Sequence, residues 1–325
     1  DSTLLYSVDM YDNKATIDGG GLYMNNSADL NVWWSNIYGN EAQNGGGIYI
    51  ANSGNLIISS PILNQLETNQ YYAGNYDARA KTSGTITATR SYNNTSNASG
   101  GIYNNTASVN GGGVFMDFSG DLLINYNRIN GNVAVDGGAF YVQRSQDVFF
   151  SDTELYENYA SGNGGGIYYD GVWNDSESGS SYIGTMTVST SNISLNTAGG
   201  SGGGVYQLGG AIDMVNSTVS ENIAGYGEQG AGIYLMSGDI SLRFTTFAYN
   251  QFSGGVGDGA AIYLGGVDLY GFADVSSIYA VNNIFYNSSE LWTASQIKLD
   301  WNLSRPADSV TSLYKLLIYF SVTDG

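Results

Sequence analysis

The stretch Asn44-Gly45-Gly46-Gly47-Ile48-Tyr49-Ile50 decides how this chain folds. Three glycines run straight into an apolar triplet of β-forming residues. The phrase returns as Gly19-Gly20-Gly21-Leu22-Tyr23, Gly111-Gly112-Gly113-Val114-Phe115, Gly137-Gly138-Ala139-Phe140-Tyr141, Gly164-Gly165-Gly166-Ile167-Tyr168 and Gly202-Gly203-Gly204-Val205-Tyr206. It then decays to Gly230-Ala231-Gly232-Ile233-Tyr234 and Gly259-Ala260-Ala261-Ile262-Tyr263. The apolar residues after the glycines are anchors, spaced by 26, 66, 26, 27, 38, 28 and 29 residues. A repeat of that length is the signature of a solenoid, in which no unit buries its apolar face alone.

Two further phrases recur within each repeat. One is a small or acidic turn before an apolar strand, as in Ser119-Gly120-Asp121-Leu122-Leu123-Ile124 and Ser145-Gln146-Asp147-Val148-Phe149-Phe150. The other is an apolar residue, two variable residues and Asn, usually followed by x-Ala, as in Ile129-Asn130-Gly131-Asn132-Val133-Ala134. Three short strands per repeat, stacked at about 4.8 Å, predict an all-β parallel β-helix of about nine rungs over 1–287. Parallel crossovers favour the right hand. The 66-residue spacing is read as a degenerate extra rung, with Tyr71-Tyr72 and Gly84-Thr85-Ile86-Thr87-Ala88 as strands and a polar loop near 91–101. A second polar loop is expected at 171–181. After Asn287 the pattern ends, so 288–325 is expected to be an atypical β segment that caps the column or contacts another subunit.

Composition removes several function classes. Among 325 residues there are 10 Lys and Arg against 29 Asp and Glu, a net charge of −19, which repels phosphate backbones and anionic lipid. With no Cys and no His, thiol chemistry, disulfides and the usual general base and metal ligands are missing. No apolar run approaches a membrane span. The chain starts at Asp1, which reads as a processed or fragmentary N-terminus.

The alternation of GG[GA][ILVF] with [ILVF]xxN resembles the repeat of chlamydial polymorphic outer-membrane proteins and related right-handed, pectin-lyase-like β-helix surface proteins. The resemblance covers about residues 8–287. It implies an extracellular or cell-surface adhesin, an autotransporter passenger or a carbohydrate-active protein. Residues 288–325 depart from it.

Candidate sites divide into columns and ends. The column Asn13, Asn40, Asn105, Asn132, Asn158, Asn196, Asn222, Asn250 and Asn287 is expected to be an asparagine ladder rather than a ligand row. The glycines precede a strand and no helix, so they are corners and not a phosphate cradle. Turn acids recur at Asp29, Asp121, Asp147, Asp239 and Asp268, where stacked charge invites a cation. Asn or Gly often replaces Asp in the column and Asp is a good turn residue in its own right, so no cofactor is expected; calcium, which takes carboxylate and carbonyl oxygens, is the alternative. Arg128 and Arg144 lie near Asp117, Asp121 and Asp147 in sequence without a motif joining them. No catalytic set stands out. Sequons at Asn93, Asn94, Asn97, Asn104 and Asn174 fall in the expected loops and are glycosylation candidates. The open ends of a β-helix must be capped or used. Leu313, Tyr314, Leu316, Leu317, Ile318, Tyr319 and Phe320 form the most apolar strand and are the subunit-contact candidates. The expected role is a non-enzymatic structural or adhesive protein, self-associating through its ends into a filament or binding glycans or a cell surface. The alternative is a polysaccharide-binding or polysaccharide-degrading enzyme.

Overall fold

A computed structural model describes residues 2–60, 100–175, 180–265, 277–286, 297–299, 315–319 and 322–323. Those residues build a parallel β-helix with four faces, each a parallel sheet running along the column. Sheet 1 holds the strands after the glycines, from Leu22–Asn25 and Ile48–Ala51 up to Ile297–Leu299. Sheet 2 holds the strands after the acidic turns, from Thr3–Tyr6 to Lys315–Tyr319. Sheet 3 runs from Asp9–Tyr11 to Val322–Thr323, and sheet 4 from Glu41–Asn44 to Gln251–Phe252. The repeat predicts three strands per rung, and the structure has four. The third phrase, apolar-x-x-Asn-x-Ala, is in fact two strands, because a residue at positive φ just before the Asn turns the chain between them.

Each strand alternates. Ile48 and Ile50 are fully buried while Tyr49 between them faces out, and the same pattern holds at Phe140, Tyr141 and Val142. Inward residues of sheets 1, 2 and 3 form one continuous apolar cluster from Met24 to Phe285. The register of sheet 1 is unbroken here: Val114 pairs with Ile48 on one side and Phe140 on the other. That pairing leaves no slot for the extra rung expected between them. The described strands of that turn are Leu56–Ser59 in sheet 2 and Gly101–Tyr103 in sheet 3, and the latter pairs with Asn36–Tyr38 and Arg128–Asn130. The stretches 71–72, 84–88 and 91–99 lie outside the described residues.

Two glycines of the repeated phrase have separate reasons. Gly45 sits at φ +60, and a Cβ there would run into the carbonyl of Ile48 in its own chain. Gly46 has no positive φ, but its Cβ would strike the carbonyl oxygens of Gly112 and Thr106 on the next rung. Alanine enters this second position at Ala231 and Ala260, where the connection from sheet 4 is longer. There the two methyls join Ala224 and Phe252 in a satellite apolar cluster.

The column continues past Asn287. Strands Ile297–Leu299, Lys315–Tyr319 and Val322–Thr323 pair in parallel with Ile262–Leu264, Ser277–Val281 and Ile284–Tyr286. The segment 288–325 therefore supplies a further level of sheets 1 to 3. Between sheets 1 and 2 of one rung, Val172–Asp175 and Ser180–Ile183 pair antiparallel as the two strands of a hairpin.

Candidate functional site

The asparagine column is a ladder. The Oδ1 of each Asn from Asn40 to Asn250 accepts the backbone NH of the Asn one rung below, at 3.0 to 3.1 Å. The Nδ2 groups donate to a backbone carbonyl of the rung below, as from Asn132 to Ile102 at 2.9 Å. Asn40, Asn105, Asn132, Asn196 and Asn222 have no solvent exposure, so the amides are consumed by the fold. Asn287 is outside the described residues.

The turn acids behave similarly. Asp29 Oδ1 accepts the NH of Asn55, Asn55 Oδ1 that of Asp121, and Asp121 Oδ1 that of Asp147. Asp147 Oδ1 accepts the NH of Thr185 and the hydroxyl of Tyr182 from the hairpin, both at 2.8 Å. Backbone NH groups supply the positive partners that stacked carboxylates need. Burial pushes Asp121 up to about 6; the NH of Asp147 opposes this, and the charges of Asp147 and Asp29 add to it. Among the described residues no three acidic side chains gather as a metal would require.

The outward face of sheet 1 carries a feature that the sequence reading missed. Tyr23, Tyr49, Phe115, Tyr141, Tyr168, Tyr206, Tyr234 and Tyr263 stack in one file, with ring centroids 4.5 to 5.4 Å apart and planes within 21° of parallel. A shorter file, Tyr11, Tyr38 and Tyr103, lies on sheet 3. The signal was present in the sequence: an aromatic ring follows every anchor. Because each ring covers its neighbour, the ring faces within the file are closed; the hydroxyl of Tyr141 donates to Gln143 Oε1 at 3.3 Å. Burial raises Tyr141 to about 12 and raises Tyr168 and Tyr206 further, with the carboxylate of Asp136 contributing at all three and that of Asp170 at Tyr141 and Tyr168.

One corner of that face gathers chemistry. Arg144 makes a bidentate pair with Asp117 and lies 4.2 Å over the ring of Phe118. Trp173 of the hairpin meets Phe118 edge-on, at 5.7 Å and 77°. Asp170 stands two rungs above Asp117, through Gln143. Burial raises its carboxyl, opposed by the NH of Val172 and by Arg144. Arg128 goes elsewhere, to Glu154 on sheet 3. Lys14 pairs with Glu41 and Arg243 with Asp213, so all four of these bases are tied to a carboxylate one rung away.

The remaining sequence candidates scatter. Asn104 is exposed at a corner with φ +55, its Oδ1 lying over Gly131 of the next rung. Asn174 is in the first hairpin strand. Asn93, Asn94 and Asn97 are outside the described residues. Leu316, Leu317, Ile318 and Tyr319 pair through their backbone with Ile278 to Val281 of this chain, at the last position in sheet 2. Leu313, Tyr314 and Phe320 are outside the described residues. No helix among the described residues is long and apolar enough to cross a membrane.

No family model, curated protein or solved structure matches the chain.

Proposed function

We propose that this chain is a non-enzymatic, extracellular structural or adhesive rod, able to associate with further copies through the ends of its column. The observation that supports it best is the uniformity of the side-chain files. The Asn ladder and the aromatic file both run through every rung from Tyr23 to Tyr263 without a break. Such a column commits its polar side chains to stiffness and leaves its outer faces as the working surface. The resemblance of the repeats to bacterial surface β-helix proteins points the same way. Glycans on Asn104 or Asn174 fit this setting, and calcium is not needed by it.

The rival reading is a carbohydrate-active protein. Asp117 and Asp170 favour it, since two rung spacings place them about 9 to 10 Å apart, near the wider separation of glycoside-hydrolase carboxyl pairs. One assay separates the two readings. Purified chain is incubated with a panel of polysaccharides, release of reducing ends and unsaturated products is measured, and particles are imaged by electron microscopy. Rods, singly or end to end, without release support the structural reading. Cleavage that Asp170→Asn abolishes overturns it.

A further inference from the structure

We infer that the band of sheet 1 between Asp136 and Asp170, over Tyr141, Tyr168 and Tyr206, docks a cationic segment of another protein, one presenting lysine or arginine side chains. The inference rests on the adhesive reading above and names the chemistry of its partner.

Three observations carry it. The first is charge placement. Asp136 precedes the glycines of one rung, and Asp170 ends the sheet 1 strand of the next, so the two flank the phenols of Tyr141 and Tyr168 from opposite sides. Both carboxylates act on both phenols, and Asp136 acts on Tyr206 as well. Second, among the described residues no base other than Arg144 stands at this band; Asp136 Oδ1 accepts the NH of Asn163 and Asp170 Oδ1 that of Val172, neither of which removes the charge. The guanidinium of Arg144 is engaged by Asp117, and Lys14, Arg128 and Arg243 pair with Glu41, Glu154 and Asp213 on other faces. Three carboxylates, Asp117, Asp136 and Asp170, thus stand against one guanidinium. The third is ring geometry. Tyr141 and Tyr168 stack at 4.5 Å and Tyr168 and Tyr206 at 5.1 Å, so no ring face is open to a flat apolar ligand or a sugar. What the band presents is a row of phenolic oxygens at the rung spacing, between carboxylates, and oxygens of that kind accept from ammonium and guanidinium groups. Complementary charge of this sort sets partner choice and association rate more than affinity.

The file itself supplies substitutions that the fold tolerates. The position of Asp136 is Asn in three other rungs, at Asn44, Asn110 and Asn163, and the position of Asp170 is Asn25 in the first. Phe115 already replaces Tyr within the file. The test is binding of immobilised protein to poly-L-lysine, with dextran and poly-L-glutamate as controls, over a range of salt. The native chain should bind poly-L-lysine alone, more weakly as salt rises. The double variant Asp136→Asn/Asp170→Asn should bind about tenfold more weakly. Glu157→Gln/Glu221→Gln, which removes the same charge from the corner between sheets 3 and 4, should change binding less than about twofold. Tyr168→Phe should weaken binding while leaving the melting temperature in place. Equal losses in the two double variants would show that overall charge is responsible and overturn the site. Absence of poly-L-lysine binding would overturn it too. Rods that fail to bind poly-L-lysine but still coat other surfaces would leave the adhesive reading standing without this partner.

Discussion

The corner that enters sheet 1 and the corner that leaves it share a device, a single residue at positive φ. At the entry that residue is Gly19, Gly45, Gly111, Gly137, Gly164, Gly202, Gly230 or Gly259, always glycine. At the exit of the first four rungs it is Asn26, Asn52, Phe118 and Arg144. Left-handed backbone costs an L-residue about 1 kcal/mol, which Phe and Arg evidently bear. What they could not bear is the entry corner, where a Cβ would collide with the chain's own carbonyl three residues on. At the exit the side chain leaves the column, and Phe118 is 44% exposed. Crowding, more than φ, makes a glycine irreplaceable here.

The harshest way to break this comparison is Gly46→Ala. Its φ is ordinary, yet the methyl would wedge between carbonyls of adjacent rungs, and we expect a loss of about 3 to 5 kcal/mol or failure to fold. Asn52→Ala, at positive φ but open to solvent, should cost about 1 kcal/mol. Thermal unfolding that ranks the two equally would refute the crowding account. Next in size is the ladder at the following corner. Asn132→Ala removes buried hydrogen bonds to both neighbouring rungs and should cost about 2 to 4 kcal/mol, whereas truncating the exposed Asn104 beside it should cost under about 1 kcal/mol.

The exit corner also carries a pH effect. Asp121 has a folded pKa of about 6, above its ordinary 3.8, so the folded chain holds the proton more tightly than the unfolded one. Its contribution therefore favours the fold fully below the unfolded value and is lost as pH rises through about 6, by at most about 3 kcal/mol. Asp121→Asn copies Asn55 one rung below. The variant should melt higher than the native chain at pH 8 and at the same temperature near pH 4. Parallel melting curves across that range would show that Asp121 is not strained. Smallest of all should be Phe118→Gly. Relief of the positive φ and loss of the contacts to Arg144 and Trp173 oppose each other, so stability should move by less than about 1 kcal/mol.

The stacking of rungs was legible because most anchors recur every 26 to 29 residues, and the Asn ladder because Asn recurs with them. The fourth face was not legible. It is made by single turning residues as unlike as Gly39, Asn104, Glu157, Leu195 and Tyr249, whose shared property is backbone φ. Sequence shows side chains, and those side chains only need to leave the column. The supposed extra rung failed for a related reason: spacing counts residues, while pairing of Val114 on Ile48 is set by the next strand that fits the register. Of the candidate surface, Tyr49 and its equivalents were in plain view in the opening phrase. Their meaning depended on knowing that they share an outward face. The pairing of Arg144 with Asp117 links residues 27 apart and follows only from the rung length.

In every sheet the backbone hydrogen bonds point along the column, from one rung to the next, and that direction has a mechanical consequence. A chain held by its two ends and stretched should come off the column as a thread comes off a spool, one turn at a time. Each turn of 26 to 29 residues would release about 90 to 100 Å of thread. The turn between Ile48 and Val114, which spans 66 residues, would release about 220 to 240 Å in one step. That long step would then act as a mark on the thread, locating every other turn relative to itself.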